Sequence, residues 1–345
     1  MADSGSAMPG RPGTTTPTAR PLAVQAHGLT KRYGQTTVLA GISLQVGQGT
    51  VAGLLGPNGA GKTTAVRILT TLLRPDAGQA TVAGFDVTRQ PGQVRTAIGL
   101  VGQHAAVDLV LSGRQNLVLF GRLHGLCPRA ARRRAAELLA QFQLEDVAER
   151  PAAKYSGGLR RRLDLAASLI RSPAVLFLDE PTTGLDPHSR AEVWQAVRAL
   201  AADGTAIVLT TQYLEEADQL ADQIIVLDAG RVIARGSPGE LKSALGADRI
   251  QVTVRDAADL TRTAALMTSV AGTAPRTDAD RRSLDAPAPG QIRVLTELAP
   301  ALHDAGIVVE DITLRRPTLD EVYLNLTGRR EPTRPPADTQ KAPAR

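Results

Sequence analysis

GPNGAGKT, running from Gly56 to Thr63, sets glycines, a lysine and a hydroxyl at the spacing G-x-x-x-x-G-K-[ST], between an apolar run, VAGLL, and a helix-forming stretch, TTAVRIL. Glycines let a backbone curl until consecutive N–H groups point inward, and the helix that follows adds the positive end of its dipole. Such a loop cradles phosphate oxygens. Here Gly56, Pro57, Asn58, Gly59, Ala60, Gly61 and Thr64 belong to the cradle, Lys62 reaches the outer phosphates, and Thr63 offers its hydroxyl to Mg²⁺. Further along, AVLFLDE buries a strand and leaves two carboxylates at its end. Asp179 is placed to hold the hydration shell of the metal, and Glu180 to accept a proton from attacking water. An acidic turn after a strand is common, so this second signal draws its weight from the phosphate loop before it. A third stretch, AIVLTTQYLEEADQLAD, puts the carboxamide of Gln212 at the mouth of another apolar strand.

YSGGLRRRLDLAASL opens a long helix with Ser156, Gly157 and Gly158, a hydroxyl and free N–H groups that make a second anion site. Two such sites are redundant unless the second serves another nucleotide. In this the sequence resembles the ATP-binding subunits of ABC transporters, whose signature Ser-Gly-Gly closes on ATP held by the opposite subunit. The resemblance covers 22 to 240, with its motifs in the family's order. It implies ATP and Mg²⁺ as cofactors, a second copy of the chain as partner, and a separate integral membrane permease. It also implies roles for single residues. Tyr33, in KRYG, would stack on adenine, its plain alternative being a turn aromatic packed on the β subdomain. Gln103 would touch Mg²⁺ and the attacking water and report nucleotide state to the permease. Asp186, in TTGLD, would link the two active sites, although DPHSR makes it as readable as a helix cap.

Two positions depart from the usual pattern. Leu159 stands where glutamine commonly follows Ser-Gly-Gly, and Gln212 where the family usually has histidine. A glutamine amide can donate to a phosphate oxygen and offer its carbonyl to water, but it cannot become cationic. The chemistry then leans on Glu180, with Gln212 and Lys62 stabilising charge on the γ-phosphoryl. TTQYLEEADQLAD and YSGGLRRRLDLAASL look most like the drug-resistance branch of daunorubicin and doxorubicin exporter ATP-binding subunits, and LDEVYLNLTG resembles a C-terminal motif of that branch.

The elements that must hold these residues are legible in outline. From about 22 to 235, strand-like and helix-like runs alternate, as TVAGLL, TTAVRILTTLL, AVLFLD, AEVWQAVRALAAD, TAIVLTT and IIVLDAG, which predicts an α/β fold with a parallel sheet covered on both faces. The early VQAHGLTKRYGQTTVLAGISLQV has shorter, turn-separated runs and suggests an antiparallel β subdomain, while the signature implies a helical subdomain. The 345 residues leave room for about two domains at roughly 150 residues each. The divisions expected are a disordered tail over 1–21, the ATP-binding domain over 22–240, an α+β accessory or dimerisation domain over 241–328, and a disordered basic tail over 329–345.

The net charge is +6, of which the two tails carry +1 and +3, leaving only +2 on 22–328. No nucleic-acid partner is expected from so diffuse a charge. Cys127 is the only cysteine, so no internal disulfide forms, and its plainest role is as a small buried apolar residue. With no apolar run of the roughly 20 residues a membrane helix needs, the expected place is peripheral, on the cytoplasmic face of the membrane. The function expected is ATP hydrolysis driving efflux of a hydrophobic drug or secondary metabolite. The alternatives are a soluble ATPase acting on ribosomes or nucleic acid, and an ATP-binding regulatory module with little turnover.

Overall fold

A computed structural model describes residues 21–328 apart from 104, 245, 247, 290 and 291. The expected N-terminal tail lies outside the described residues save for Pro21, and the basic C-terminal tail wholly outside them. The chain enters as β1 (Leu22–Tyr33) and β2 (Thr36–Gly47), joined at Gly34, then passes into β3 (Val51–Leu55), five consecutive buried residues. The phosphate-type loop leads from β3 into α1 (Lys62–Leu69), followed by β4 (Ala77–Val82), β5 (Phe85–Asp86), α2 (Pro91–Ala97) and β6 (Ile98–Val101). A helical block comes next, α3 (Gly113–Leu123), α4 (Pro128–Gln141) and α5 (Gly157–Ser168). Strand and helix then alternate through β7 (Val175–Asp179), α6 (Pro187–Ala202), β8 (Ala206–Thr211), α7 (Leu214–Leu220), β9 (Gln223–Asp228) and β10 (Arg231–Gly236), before the short α8 (Pro238–Ser243).

The central sheet has six strands in the order β10-β9-β3-β8-β7-β6, parallel except where β10 pairs antiparallel with β9. Its strands are buried on both faces, and the period of two sorts their residues cleanly. Leu176, Leu178, Ile207 and Leu209 face a core shared with α4, α5 and α6. Val175, Phe177, Ala206 and Val208 face a second core shared with α1 and with the antiparallel sheet β2-β1-β4-β5. Sequence and structure differ at three places here, the first being that the early runs expected to be short are two strands of 12 residues each, paired with register shifts. The helical pattern after the loop continues to Leu73, yet α1 stops at Leu69, where the Thr70 hydroxyl donates to the Val66 carbonyl at 2.8 Å and Thr71 takes φ 65°. Cys127 is exposed, not buried, because it is the N-cap of α4 and Pro128 at the first helical position starts that helix on the surface.

Beyond α8 the chain forms β11 (Arg249–Val254), α9 (Leu260–Ala271), β12 (Arg276–Asp278), β13 (Ser283–Pro287), α10 (Ile292–Asp304) and β14 (Val309–Arg315). Alternation in β11 sends Ile250, Val252 and Val254 into a core with Met267, Leu298 and Leu302 of the two helices, so the antiparallel sheet β12-β13-β11-β14 is covered on one face. The last helix, α11 (Leu319–Thr327), begins with a capping box between Thr318 and Glu321. It leaves this core and packs against α7 and α8, where Leu319 and Val322 join Leu55, Ala217, Ile224 and Leu241. Arg315 fixes its start, gripping Glu321 at 2.8 and 3.0 Å and Asp285 of β13 at 2.6 Å. Leu319 is 3% exposed, so Leu319→Ala opens a cavity and is expected to cost about 2–5 kcal/mol. A urea titration should show a lower midpoint with an unchanged slope.

Candidate functional site

Parallel strands place their carboxyl ends along one edge, and the order β3-β8-β7-β6 decides which residues meet there. The loop after β3 is the first contributor. Gly56 sits so close to the Leu227 carbonyl of β9 that no Cβ fits, and Gly61 takes φ 104° against Leu39, so the first glycine is required by a close approach and the second also by its backbone. Lys62, 4% exposed, folds back to donate to the carbonyls of Gly56 at 2.7 Å and Pro57 at 3.1 Å, with its ammonium 4.0 Å from Glu180 Oε1. Burial lowers its pKa from the ordinary lysine value, and Glu180 and Asp179 oppose that shift.

β7 contributes the two carboxylates. Asp179 Oδ1 accepts from the hydroxyls of Thr210 at 2.5 Å and Thr63 at 3.3 Å, so one carboxylate oxygen joins β7, β8 and the phosphate loop. Thr63 and Asp179 thereby present hard oxygen donors side by side. They fit a cation that keeps water and borrows further ligands from phosphates, and among the described residues no cluster of three or more His, Cys, Asp or Glu offers an all-protein cage. Glu180 has φ 50°, in the left-handed region, and its N–H donates to the Thr210 carbonyl and hydroxyl, each at 3.1 Å. Its carboxylate accepts from Thr183 at 3.3 Å.

Two cavities meet at Gln103 and Glu180. The smaller, about 140 Å³, is lined by Pro57, Asn58, Gly59, Gly61, Lys62, Thr63, Thr64, Gln103 and Glu180, all of them residues singled out in the sequence, together with Val38. The larger, about 460 Å³, opens towards α5 and includes Gly157, Arg160, Pro181 and Leu185. Gly56, Ala60 and Asp179 are buried beneath these surfaces. The remaining residues stand apart. Tyr33 is 48% exposed at the end of β1, lines neither cavity, and carries the Lys31 ammonium 5.9 Å from its ring centre. Ser156 and Gly158 also line neither, and the Ser156 hydroxyl caps α5 by accepting from Leu159 N at 3.2 Å. Asp186 caps α6, accepting from the Ser189 N–H and hydroxyl at 2.9 and 2.7 Å, bonds that lower its pKa. Gln212 follows Thr211, whose β8 register pairs it with Leu55, so its backbone leaves the sheet between β3 and β7, and the residue is half-buried and lines neither cavity.

Three buried charges, Arg161, Asp164 and Glu216, escaped the motif reading. Glu216, in α7, accepts from Thr182 at 2.8 Å and Trp194 at 3.1 Å, and burial raises its pKa against those bonds. Arg161 donates to carbonyls around Glu180 from within α5. Glu216 and Arg161 had a signal. Each lies on the apolar side of its helix by spacing, Glu216 four residues before Leu220 and Arg161 four before Leu165.

A family profile described as ABC transporter matches residues 39–183. The chain is 60% identical over 308 residues to the daunorubicin resistance ATP-binding protein DrrA2 of Streptomyces coeruleorubidus, a match covering 89% of this chain and 96% of that one. It is 50% identical over 312 residues to the doxorubicin resistance ATP-binding protein DrrA of Mycobacterium tuberculosis, covering 89% and 94%. Among solved structures, CbiO1 of Clostridium perfringens, described as part of the ABC transporter complex CbiONQ, superposes with a TM-score of 0.60 at 27% identity, over 64% of this chain and 90% of its own.

The signature glycines are not equivalent. A Cβ on Gly158 would stand 2.6 Å from Ser189 Cβ, forcing α5 and α6 apart, whereas one on Gly157 meets only Leu185 at 3.4 Å. Gly158→Ala is therefore expected to lose about 1–3 kcal/mol of stability in urea unfolding, while Gly157→Ala keeps the wild-type midpoint.

Proposed function

The chain belongs to the ABC transporter family as an ATP-binding subunit, an ATPase, and from that premise we propose that it powers efflux of a hydrophobic drug or secondary metabolite through a separate membrane permease. The observation that carries the site assignment is the convergence of Lys62, Thr63, Gln103, Asp179 and Glu180 at adjacent strand ends. In the proposed cycle two copies meet head to tail, each ATP lying between the phosphate loop of one and Ser156, Gly157 and Gly158 of the other. The failure of Ser156 and Gly158 to reach the phosphate cavity of their own chain supports this arrangement.

Nucleotide binding exchanges partners at Lys62. Its ammonium trades the carbonyls of Gly56 and Pro57 for phosphate oxygens, while the N–H groups of the loop take the remaining charge. Thr63, Asp179 and Gln103 would hold Mg²⁺, which neutralises charge on the outer phosphates when bound. Glu180 orients the water and takes its proton, and its fixed backbone turn limits the directions its carboxylate can point. Gln212 donates an amide N–H towards the γ-phosphate and Tyr33 stacks on the adenine. Asp186, already ordered as a cap at the start of α6, faces the partner copy.

The permease contact is supported by a groove of about 320 Å³ between β6, α3 and α5, with apolar Leu72, Leu100 and Phe120 and basic Arg95 and Arg171. Leu72 is 63% exposed and Leu100 38%. Gln103 lines both nucleotide-side cavities and Ala106 lines this groove, so one short segment reaches from phosphate to permease. Among the described residues no helix is long and apolar enough to cross a membrane, and the proposed place is peripheral, on its cytoplasmic face.

Glu180→Gln should keep nucleotide affinity and lose about 10²- to 10⁴-fold in kcat, measured as phosphate release by purified protein. Equal, near-zero rates for wild type and variant would favour a binding module instead. Gln212→His should retain turnover, since either side chain can donate N–H from that place, and complete inactivation would refute the assignment. Drug accumulation in cells with and without the chain and its permease tests the transported class.

A further inference from the structure

Arg161 takes no part in the chemistry above, yet it donates to three successive carbonyls of the turn that aims Glu180. It is 6% exposed, five residues into the helix run that begins at Ser156. Its Nε donates to the Pro181 carbonyl at 2.7 Å, and its Nη2 to the carbonyls of Glu180 at 3.3 Å and Asp179 at 3.4 Å. Nη1 donates to the Gly102 carbonyl at 2.7 Å, one residue before Gln103. The same nitrogen lies 3.4 Å from Asp164 Oδ2, and the other oxygen of Asp164 accepts from Ala106 N at 2.9 Å. Three successive carbonyls therefore turn towards one cation, at the point where Glu180 holds a left-handed φ of 50°. A non-glycine residue in that conformation persists only where its surroundings over-determine it.

Resting on the reading of Glu180 as the group that activates water, we propose that Arg161 is a positioning residue for hydrolysis, whose guanidinium gathers the carbonyls of Asp179, Glu180, Pro181 and Gly102 and so fixes the Glu180 carboxylate relative to Gln103. The residue type suits the task. A guanidinium presents five N–H donors in a rigid plane and serves several acceptors in set directions, whereas a lysine ammonium is a point charge with three. Burial works against both partners of the pair, lowering the pKa of Arg161 and raising that of Asp164, so the cluster is held by its many hydrogen bonds more than by the charge pair alone. Through Asp164, which also lines the proposed permease groove, the cluster joins that groove to the catalytic turn. Through α5 it joins the same turn to the signature Ser156, the residue proposed to touch the partner's nucleotide.

The test uses the purified full-length protein with Arg161→Lys, Arg161→Gln and Arg161→Met, reading kcat and KM for MgATP, affinity for a fluorescent ATP analogue, and the melting temperature. The expected result is a fall in kcat of about ten- to a hundredfold for Arg161→Met, with KM and nucleotide affinity within about threefold of wild type, because misplacing a catalytic group by about 1 Å costs rate and not ground-state binding. Arg161→Lys and Arg161→Gln, which still donate to some of the carbonyls, should fall between. If the methionine variant does not fold, the lysine variant carries the test by the same split between kcat and KM. A kcat for Arg161→Met within about twofold of wild type overturns the proposal, as do losses in kcat, affinity and melting temperature that track one another through the series. Wild-type turnover that depends on Glu180, with indifferent Arg161 variants, sinks this inference alone. Wild-type protein without such turnover sinks the reading beneath it as well.

Discussion

Parallel pairing of β8 with β3 on one side and β7 on the other is the constraint from which the site follows. The registers Leu55 with Thr211 and Asp179 with Thr210 set three strand ends in line, so the phosphate loop, the amide of Gln212 and the two carboxylates leave the sheet at neighbouring points. A slip of one residue would turn Asp179 and Thr210 to opposite faces. Burial on both sides resists the slip, since a shift of β7 would make Phe177 and Leu178 exchange cores, and a shift of β8 would do the same to Val208 and Leu209. The hydrogen-bond chain Thr63–Asp179–Thr210 is what this packing makes possible, and it ties loop to sheet through a single carboxylate oxygen.

Helix α5 has an unusual load. At its start it offers Ser156 and Gly157 to the outside, while Gly158 lets it approach α6 closely. One turn further Arg161 and Asp164 enter the interior, where charge is tolerated because each group has several partners. The family's usual glutamine after Ser-Gly-Gly is here Leu159, which packs part-buried against the core of the helical block, so this helix trades a polar contact at its rim for apolar seating.

Much of this was legible in the chain. The alternation of apolar strands with amphipathic helices, and the loop between β3 and α1, depend on local spacing, and local spacing is what a sequence displays. Less legible were features set by contacts far apart in the chain. Arg161 sits in a run of three arginines, and although its spacing to Leu165 puts it on the apolar side, the acceptors at 102 and 179–181 that hold it there are far away in the chain. Val38 enters the phosphate cavity from β2, a strand with no motif of its own. Cys127 looked like core and is a surface cap, since a single residue type says little without its neighbours' geometry. Of the two readings of Asp186 the helix cap is the one seen, its carboxylate accepting from Ser189 while the residue stays exposed.

The seating of α11 bears on where this polypeptide could be cut. Leu319 and Val322 close over Ala217 of α7, which follows Gln212, Ile224 of the strand beside β3, and Leu241 of α8. A fragment ending at 240 would carry every nucleotide motif and yet leave that apolar surface bare, inviting self-association. Helix α11 thus covers a surface of the unit that carries the motifs, although it follows the C-terminal sheet in the chain and that sheet has a core of its own.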